Sequence, residues 1–249
     1  MDLKDRVALV AGGTGTLGLA IARALAAGGA HVGITYLERK DAARESCAAI
    51  EALGRKAWSV ALDQTDAGAV PGAVKAVADH FGRLDVLVNN AGWNIAIPFP
   101  DLESLDPDTW DRLFATNLRG PYLICRAAAP YLKAGRGGRI VNIASVAGVK
   151  PTGSSIAYAS SKAALIHLTR CLAVALAPDV TVNCVAPGLM EGTRMTSRLR
   201  PETAQGARDR AVLKRAAAVE DVADQVVAFC RSDSVTGQVL NIDAGVFFH

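Results

Sequence analysis

Residues 158–162 read Tyr-Ala-Ser-Ser-Lys inside a helical pattern, so Tyr158 and Lys162 stand four apart and share one helix face. A phenol titrates near about 10 and is a poor base at neutral pH. An ammonium within hydrogen-bonding range favours the phenolate, so Lys162 could tune Tyr158 for proton transfer. The same spacing also occurs as surface decoration on helices. Ser145 ends the strand-like run Gly-Arg-Ile-Val-Asn-Ile-Ala-Ser, where a hydroxyl can donate to a carbonyl oxygen as charge develops on it. Asn117 is a polar residue amid Phe114, Leu118 and Leu123. It either holds a water that relays protons to Lys162 or simply faces solvent.

These residues need a frame, and the chain alternates short aliphatic runs with longer helical patterns, the signature of βαβ units. Strands are expected near 6–11, 31–36, 56–61, 84–89, 138–144, 179–185 and 238–242. Helices are expected near 17–28, 40–53, 67–81, 108–134, 157–177 and 219–231. The fold class is α/β, a Rossmann-type doubly wound parallel sheet of seven strands with helices on both faces, and residues 1–249 form one domain. Such a sheet binds ligands at the carboxyl ends of its strands near the point where strand order reverses. Chemistry belongs just after residues 11, 36, 61, 89, 144 and 185.

Four of those places carry candidate residues. After the first strand, Ala-Gly-Gly-Thr-Gly-Thr-Leu-Gly runs into a helical pattern, and Gly12, Gly15 and Gly18 let the backbone approach a pyrophosphate at a helix N-terminus. A glycine-rich turn can also serve only to pack a helix on a sheet. Where a ribose-binding acid is expected after the second strand, the chain has Tyr36; Glu38 comes slightly late, and Arg39 and Lys40 are near enough to meet a phosphate. That tilts the cofactor toward NADP(H) over NAD(H). Asp63, after the third strand, could accept from the adenine amino group or cap a helix. Asn89, Asn90, Ala91 and Gly92 close the fourth strand, with the amides either against the cofactor or in turn roles.

Composition excludes other classes. Of 249 residues, 27 are Lys or Arg and 24 are Asp or Glu, and the net charge of +3 is interspersed with no basic run, so neither a nucleic-acid nor a membrane partner is expected. The five cysteines are scattered without a metal-binding or disulfide pattern, which with the lack of a leader or membrane span points to a cytoplasmic protein. No metal is needed.

The joint pattern resembles the short-chain dehydrogenase/reductase family over essentially the whole chain. The thirteen-residue spacing from Ser145 to Tyr158, Asn-Asn-Ala-Gly at 89–92 and Pro187–Gly188 after the sixth strand all match. The resemblance implies a catalytic tetrad of Asn117, Ser145, Tyr158 and Lys162. It implies cofactor contacts from Gly12, Thr14, Gly15, Thr16, Leu17, Gly18, Tyr36, Arg39, Asp63, Gln64, Asn90, Ala91, Gly92, Tyr158, Lys162, Pro187, Gly188 and Thr193. The activity implied is NAD(P)(H)-dependent hydride transfer between nicotinamide and a carbonyl or secondary alcohol, nominally 3-oxoacyl or ketone reduction. A sugar or polyol dehydrogenase is the alternative within the family, and a catalytically silent NAD(P)-sensing protein the alternative outside it.

The chain departs from the family pattern in two places. Ala11 and Thr16 stand where single-domain members usually have Thr and Gly, and Gly192 is an extra residue before Thr193. Gly15 also stands where many NADP-preferring members carry a base. An apolar substrate wall is expected from Trp93, Asn94, Ile95, Val146, Leu189, Met190 and Met195. A polar flap is expected over 189–215, mobile until ligands bind, with Arg194, Arg198, Arg200, Arg208 and Arg210 hindering its burial. Apolar residues spread around the helices at 108–134 and 157–177, and Val246, Phe247 and Phe248 in the tail, point to a homo-oligomer, a tetramer by the family's habit.

Overall fold

Seven parallel strands form one sheet in the order β3-β2-β1-β4-β5-β6-β7: β1 (Val7–Ala11), β2 (His31–Tyr36), β3 (Ala57–Ala61), β4 (Val86–Asn89), β5 (Gly138–Ile143), β6 (Val180–Pro187) and β7 (Val239–Ile242). The computed structural model describes residues 1–135, 137–193, 196 and 201–248. Chain order reverses between β1 and β4, which pair from Ala8–Val86 to Ala11–Asn89, so a crevice opens at their carboxyl ends. Parallel strands need crossovers and are covered on both faces, which is why β1, β2, β4, β5 and β6 are almost wholly apolar and buried.

One face packs through Val10, Val32, Ile34, Val88 and Val185 against α1 (Thr16–Ala27), α2 (Lys40–Glu51) and α8 (Val219–Arg231). The opposite face packs through Leu9, Leu87, Ile140 and Val182 against α3 (Ala69–Phe81), α5 (Gly120–Ala134) and α6 (Ile156–Ala175). Alternate residues of each strand serve opposite layers, as the pleat requires.

Two expected elements differ. The helix at 108–134 is three pieces: α4 (Pro107–Phe114), a π-helical turn over Ala115–Arg119, and α5. Apolar periodicity runs through all three, so nothing in the pattern marks the wider turn, which centres on the buried Asn117. Within the flap range, Pro201–Arg210 forms helix α7. It has Pro201 and Glu202 at its start and Arg208 and Arg210 at its end, favourable for helix ends and dipole, but no buried residue and hence no apolar stripe to read. Arg208 pairs with Glu191, and Leu213 N donates to Ala244 O at 3.1 Å, so both ends of this segment are anchored. Arg194, Met195, Arg198 and Arg200 lie outside the described residues.

Away from the crevice, Asp85 ties β4 to the start of β1. Its carboxylate accepts from Val7 N at 2.9 Å, Arg6 Nη1 at 3.1 Å and Arg83 Nε at 2.7 Å, and it is 2% exposed. Asp85→Ala strands a buried backbone N–H and two guanidinium groups, and should lower unfolding free energy by roughly 2 kcal/mol. A chemical denaturation midpoint within error of the parent would refute this.

Candidate active site

Three of the tetrad candidates are assembled by the crevice end of β5 and the first turns of α6, and the fourth, Asn117, comes from the π-helical turn between α4 and α5. Ser155 caps α6 by accepting from Tyr158 N at 3.2 Å, which sets the tyrosine in the first turn with Lys162 one turn on. Lys162 is 3% exposed, and its Nζ donates to Ile143 O at 2.9 Å, the last residue of β5. Ser145 follows two residues later, its Oγ accepting from Ala147 N at 3.2 Å and donating to Pro187 O at 3.4 Å.

Close backbone approach holds these parts together. A Cβ on Gly148 would lie 2.5 Å from the Lys162 carbonyl carbon, so the turn carrying Ser145 rests directly on α6. Gly153 has φ +114°, and a Cβ there would lie 2.9 Å from Ala147 Cβ and 3.4 Å from the Tyr158 ring. Neither glycine was singled out from sequence, because nothing local distinguishes a glycine that another segment touches.

Asn117 is fully buried, not solvent-facing. Its Oδ1 accepts from Trp93 N at 2.9 Å, and its Nδ2 donates to Trp93 O at 2.9 Å and to Ser161 Oγ at 3.1 Å. The side chain is therefore committed to joining the loop after β4 to α6.

Burial dominates the electrostatics. It pushes the Tyr158 phenol up, and the Ser145 hydroxyl only partly opposes this. Burial also drives the Lys162 ammonium down to about 8, its main opposing influence being the Cys184 thiol. Lys162 Nζ stands 5.8 Å from the Tyr158 ring centroid and spends its short contact on Ile143 O. Desolvation of the phenolate thus prevails over the lowering expected from this ammonium.

The glycine loop fits a dinucleotide pyrophosphate. A Cβ on Gly18 would lie 2.2 Å from Gly12 O and 2.7 Å from Asn90 Nδ2, and one on Gly12 (φ +73°) would lie 2.9 Å from Ala91 Cα. Helix α1 starts at Thr16 with no side-chain cap and no acid in its first turn, which leaves its N–H groups and dipole for an anion. Gly15 is the N-cap, and the nearest atom to a Cβ there is 3.7 Å away, so it is not a contact glycine. Gly13, not among the candidates, is one: a Cβ would lie 2.5 Å from the Ile34 side chain. Leu17 is buried in the α1 core stripe, while Thr16 is exposed and its hydroxyl donates to Gly192 O at 3.3 Å.

Other candidates divide into free and committed groups. Arg39 Nη1 donates to Thr14 O at 3.2 Å, which places its guanidinium over the glycine loop, whereas the half-buried Tyr36 packs on the core beneath. Asp63 Oδ1 accepts from Thr65 N and Oγ1 at 2.8 and 2.7 Å, a turn rather than a helix cap. Gln64 Nε2 donates to Thr116 O at 2.7 Å and Ala91 O at 3.3 Å, bracing the loop. Asn90 Nδ2 donates to Ala11 O and Gly12 O, and half-buried Gly92 follows in the same turn. Asn89 instead points into the sheet, donating to Asn142 Oδ1 at 2.8 Å. Gly188 N donates to Ile242 O at 2.9 Å, and Thr193 Oγ1 is taken up locally by Met190 O and Thr196 Oγ1. Of the substrate wall, Trp93 and Ile95 pack against the cluster containing Tyr158, while Met190 turns into the α1 core.

Comparison with known proteins agrees with this geometry. Residues 6–204 match the family model of the short chain dehydrogenases. The 3-oxoacyl-[acyl-carrier-protein] reductase of Aquifex aeolicus is 35% identical, over 99% of both chains. A short chain dehydrogenase from Burkholderia cenocepacia, solved in complex with NADP, is 38% identical with a TM-score of 0.90, covering 99% of each chain. NAD+-bound xylitol dehydrogenase is 30% identical with a TM-score of 0.90, over 98% of this chain and all of that one. The chain belongs to the short-chain dehydrogenase family, and is an NAD(P)-dependent oxidoreductase.

Proposed function

We propose that this protein reduces a ketone or 3-oxoacyl carbonyl to a secondary alcohol, with Tyr158 as the proton donor. The observation that carries this reading is the grouping of buried Tyr158 and Lys162 with half-buried Ser145 at the crevice, the phenol being held toward its protonated form by burial. A bound nicotinamide dinucleotide supplies the hydride. Ser145 Oγ steadies the carbonyl oxygen, Tyr158 Oη donates the proton to it, and Lys162 holds the ribose and carries the charge that favours the phenolate left behind. Asn117 keeps Trp93 and α6 in register and orders a relay water from its backbone. Because the tyrosine and lysine are both in place, a silent sensor is disfavoured. Polyol oxidation is the same chemistry reversed.

NADP(H) is the proposed cofactor, on the Arg39 guanidinium poised over Thr14 and the lack of an acid at Tyr36. Contacts along it come from the Gly12–Gly18 loop, Asp63, Gln64, Asn90–Gly92, Pro187–Gly188 and Thr193. The assembly proposed is a homotetramer in the cytoplasm, where its cysteines stay free. The apolar surround read for α6 is narrower in the fold, since Leu165, Ile166 and Ala173 are core residues. What remains for a partner is Cys171 and Val174 on α6, Trp110 stacked on Phe114, and Tyr122, with Phe248 and Val212 at the tail.

Four outcomes test this reading. Tyr158→Phe should cut carbonyl reduction by a factor of about 10² or more and leave cofactor affinity nearly intact. In the parent, the raised phenol means that reduction, which needs the acid form, is lost only as pH rises through the phenol's own range, whereas alcohol oxidation gains over the same rise. Pre-steady-state pH profiles in both directions check this, and a reduction rate that climbs with pH would refute the assignment. Gly18→Ala should abolish cofactor binding, while Arg39→Ala should weaken NADPH selectively; fluorescence titration with both cofactors decides, and equal loss for NADH removes the Arg39 role. Light scattering should return a tetramer mass: a monomer refutes the helix surfaces, and a dimer only the tail's role.

A further inference from the structure

The guanidinium of Arg112, in the last turn of α4, lies over the Trp93 indole with its carbon 4.1 Å from the ring centroid. Trp93 is no loose surface residue. Asn117 grips both its N–H and its carbonyl, and its side chain packs against the cluster of Leu113, Ala147, Ala157, Tyr158 and Ala159. The exposed Arg112 guanidinium thus rests on an indole that itself packs against the cluster containing Tyr158.

Arg112 has no ion-pair or hydrogen-bond partner among the described residues. Asp108 one turn earlier and Asp111 beside it are the nearest acids along the helix. Stacking on an aromatic face engages the guanidinium's π surface and leaves its edge N–H donors free for a planar or tetrahedral oxyanion. Trp110 and Phe114 occupy a different stripe of α4, because residues two apart point to opposite sides of a helix, so a partner subunit on that stripe leaves Arg112 open. The cofactor does not account for this charge either. The groups that fit its phosphates, the start of α1 and Arg39, lie with β1 and β2, on the far side of the switch point from α4.

We propose that Arg112, preorganised on Trp93, binds an anionic group of the substrate, so that the favoured substrates are ketones bearing a carboxylate or phosphate. This deepens the carbonyl-reductase reading and rests on it. A charged group is selected because an unpaired guanidinium at an apolar rim offers charge-assisted hydrogen bonds that a neutral analogue cannot accept equally.

Matched pairs test it: acetoacetate and levulinate against their methyl esters, and dihydroxyacetone phosphate against dihydroxyacetone. In the parent, kcat/KM should favour an anionic member. In Arg112→Ala the anion-to-neutral ratio should fall roughly ten- to hundredfold, as expected for losing a hydrogen bond to a charged group. Arg112→Lys should restore part of the ratio by charge alone. A ratio unchanged by Arg112→Ala, whatever happens to absolute rates, overturns the proposal, and so does a parent that prefers the neutral member of every pair. Calorimetry of levulinate and of dihydroxyacetone phosphate binding to cofactor-loaded protein separates the two readings. Binding lost in Arg112→Ala, without turnover of any ketone, supports the anion site and refutes the reductase reading; no binding of either anion to the parent refutes the site.

Discussion

A lysine ammonium enclosed by protein is the condition around which this site is built. Lys162 is 3% exposed, and the one hydrogen bond its Nζ makes among the described residues is to Ile143 O. Desolvation drives its pKa down to about 8, so the folded state sheds this proton before the unfolded chain does. Folding therefore becomes more favourable as pH rises from about 8 toward the ordinary lysine range, and below that window the fold carries the full cost of a buried charge. The same enclosure raises Tyr158, so one feature, exclusion of water by the Gly148 turn and α6, sets both groups.

Holding a buried cation within an ångström or so requires rigid neighbours, and they are polar as well as apolar. Asn89, Asn142 and Thr169 form a hydrogen-bonded row across β4, β5 and α6, ending on Leu165 O. Asn117 makes the corresponding connection above, from the loop after β4 to Ser161 of α6, and Ser161 Oγ donates in turn to Tyr158 O at 2.8 Å. Each bond is made in a low-dielectric interior where an orphaned amide is costly, so the row specifies one register of α6 on the sheet. The π-helical turn at 115–119 belongs to this scheme: the wider turn places Asn117 inward between two apolar helices.

The glycine loop and the flap meet the site from the other side. Thr16 and Gly192, the positions where this chain departs from the family's usual spacing, contact each other through the Thr16 hydroxyl and the Gly192 carbonyl at 3.3 Å. Gly192 adopts φ +72°, a conformation that suits the extra residue to a turn back toward the loop. The Gly192 carbonyl thus supplies an acceptor for the Thr16 hydroxyl and links the flap to the glycine loop.

Much of this was legible in the residues alone. Hydrophobic periods of two and 3.6 are local, so the seven strands and their main helices could be read to within a few residues, and the glycine loop and Ser145 stood at strand ends where topology puts ligands. Tertiary structure decided what depends on contacts between distant segments. Helix α7 has no buried face and so no period to detect. The roles of Gly148, Gly153 and Gly13 exist only because α6, Ala147 and Ile34 come close to them. Whether an asparagine is a free ligand or a structural clasp is settled by the partners the fold brings: Asn117 met Trp93 and Ser161, and Asn89 met Asn142. Residue type and spacing determine which chemistry is available here. Burial and packing, which arise only when the layers close, determine which groups are charged, which are committed to the scaffold, and which are left to meet a ligand.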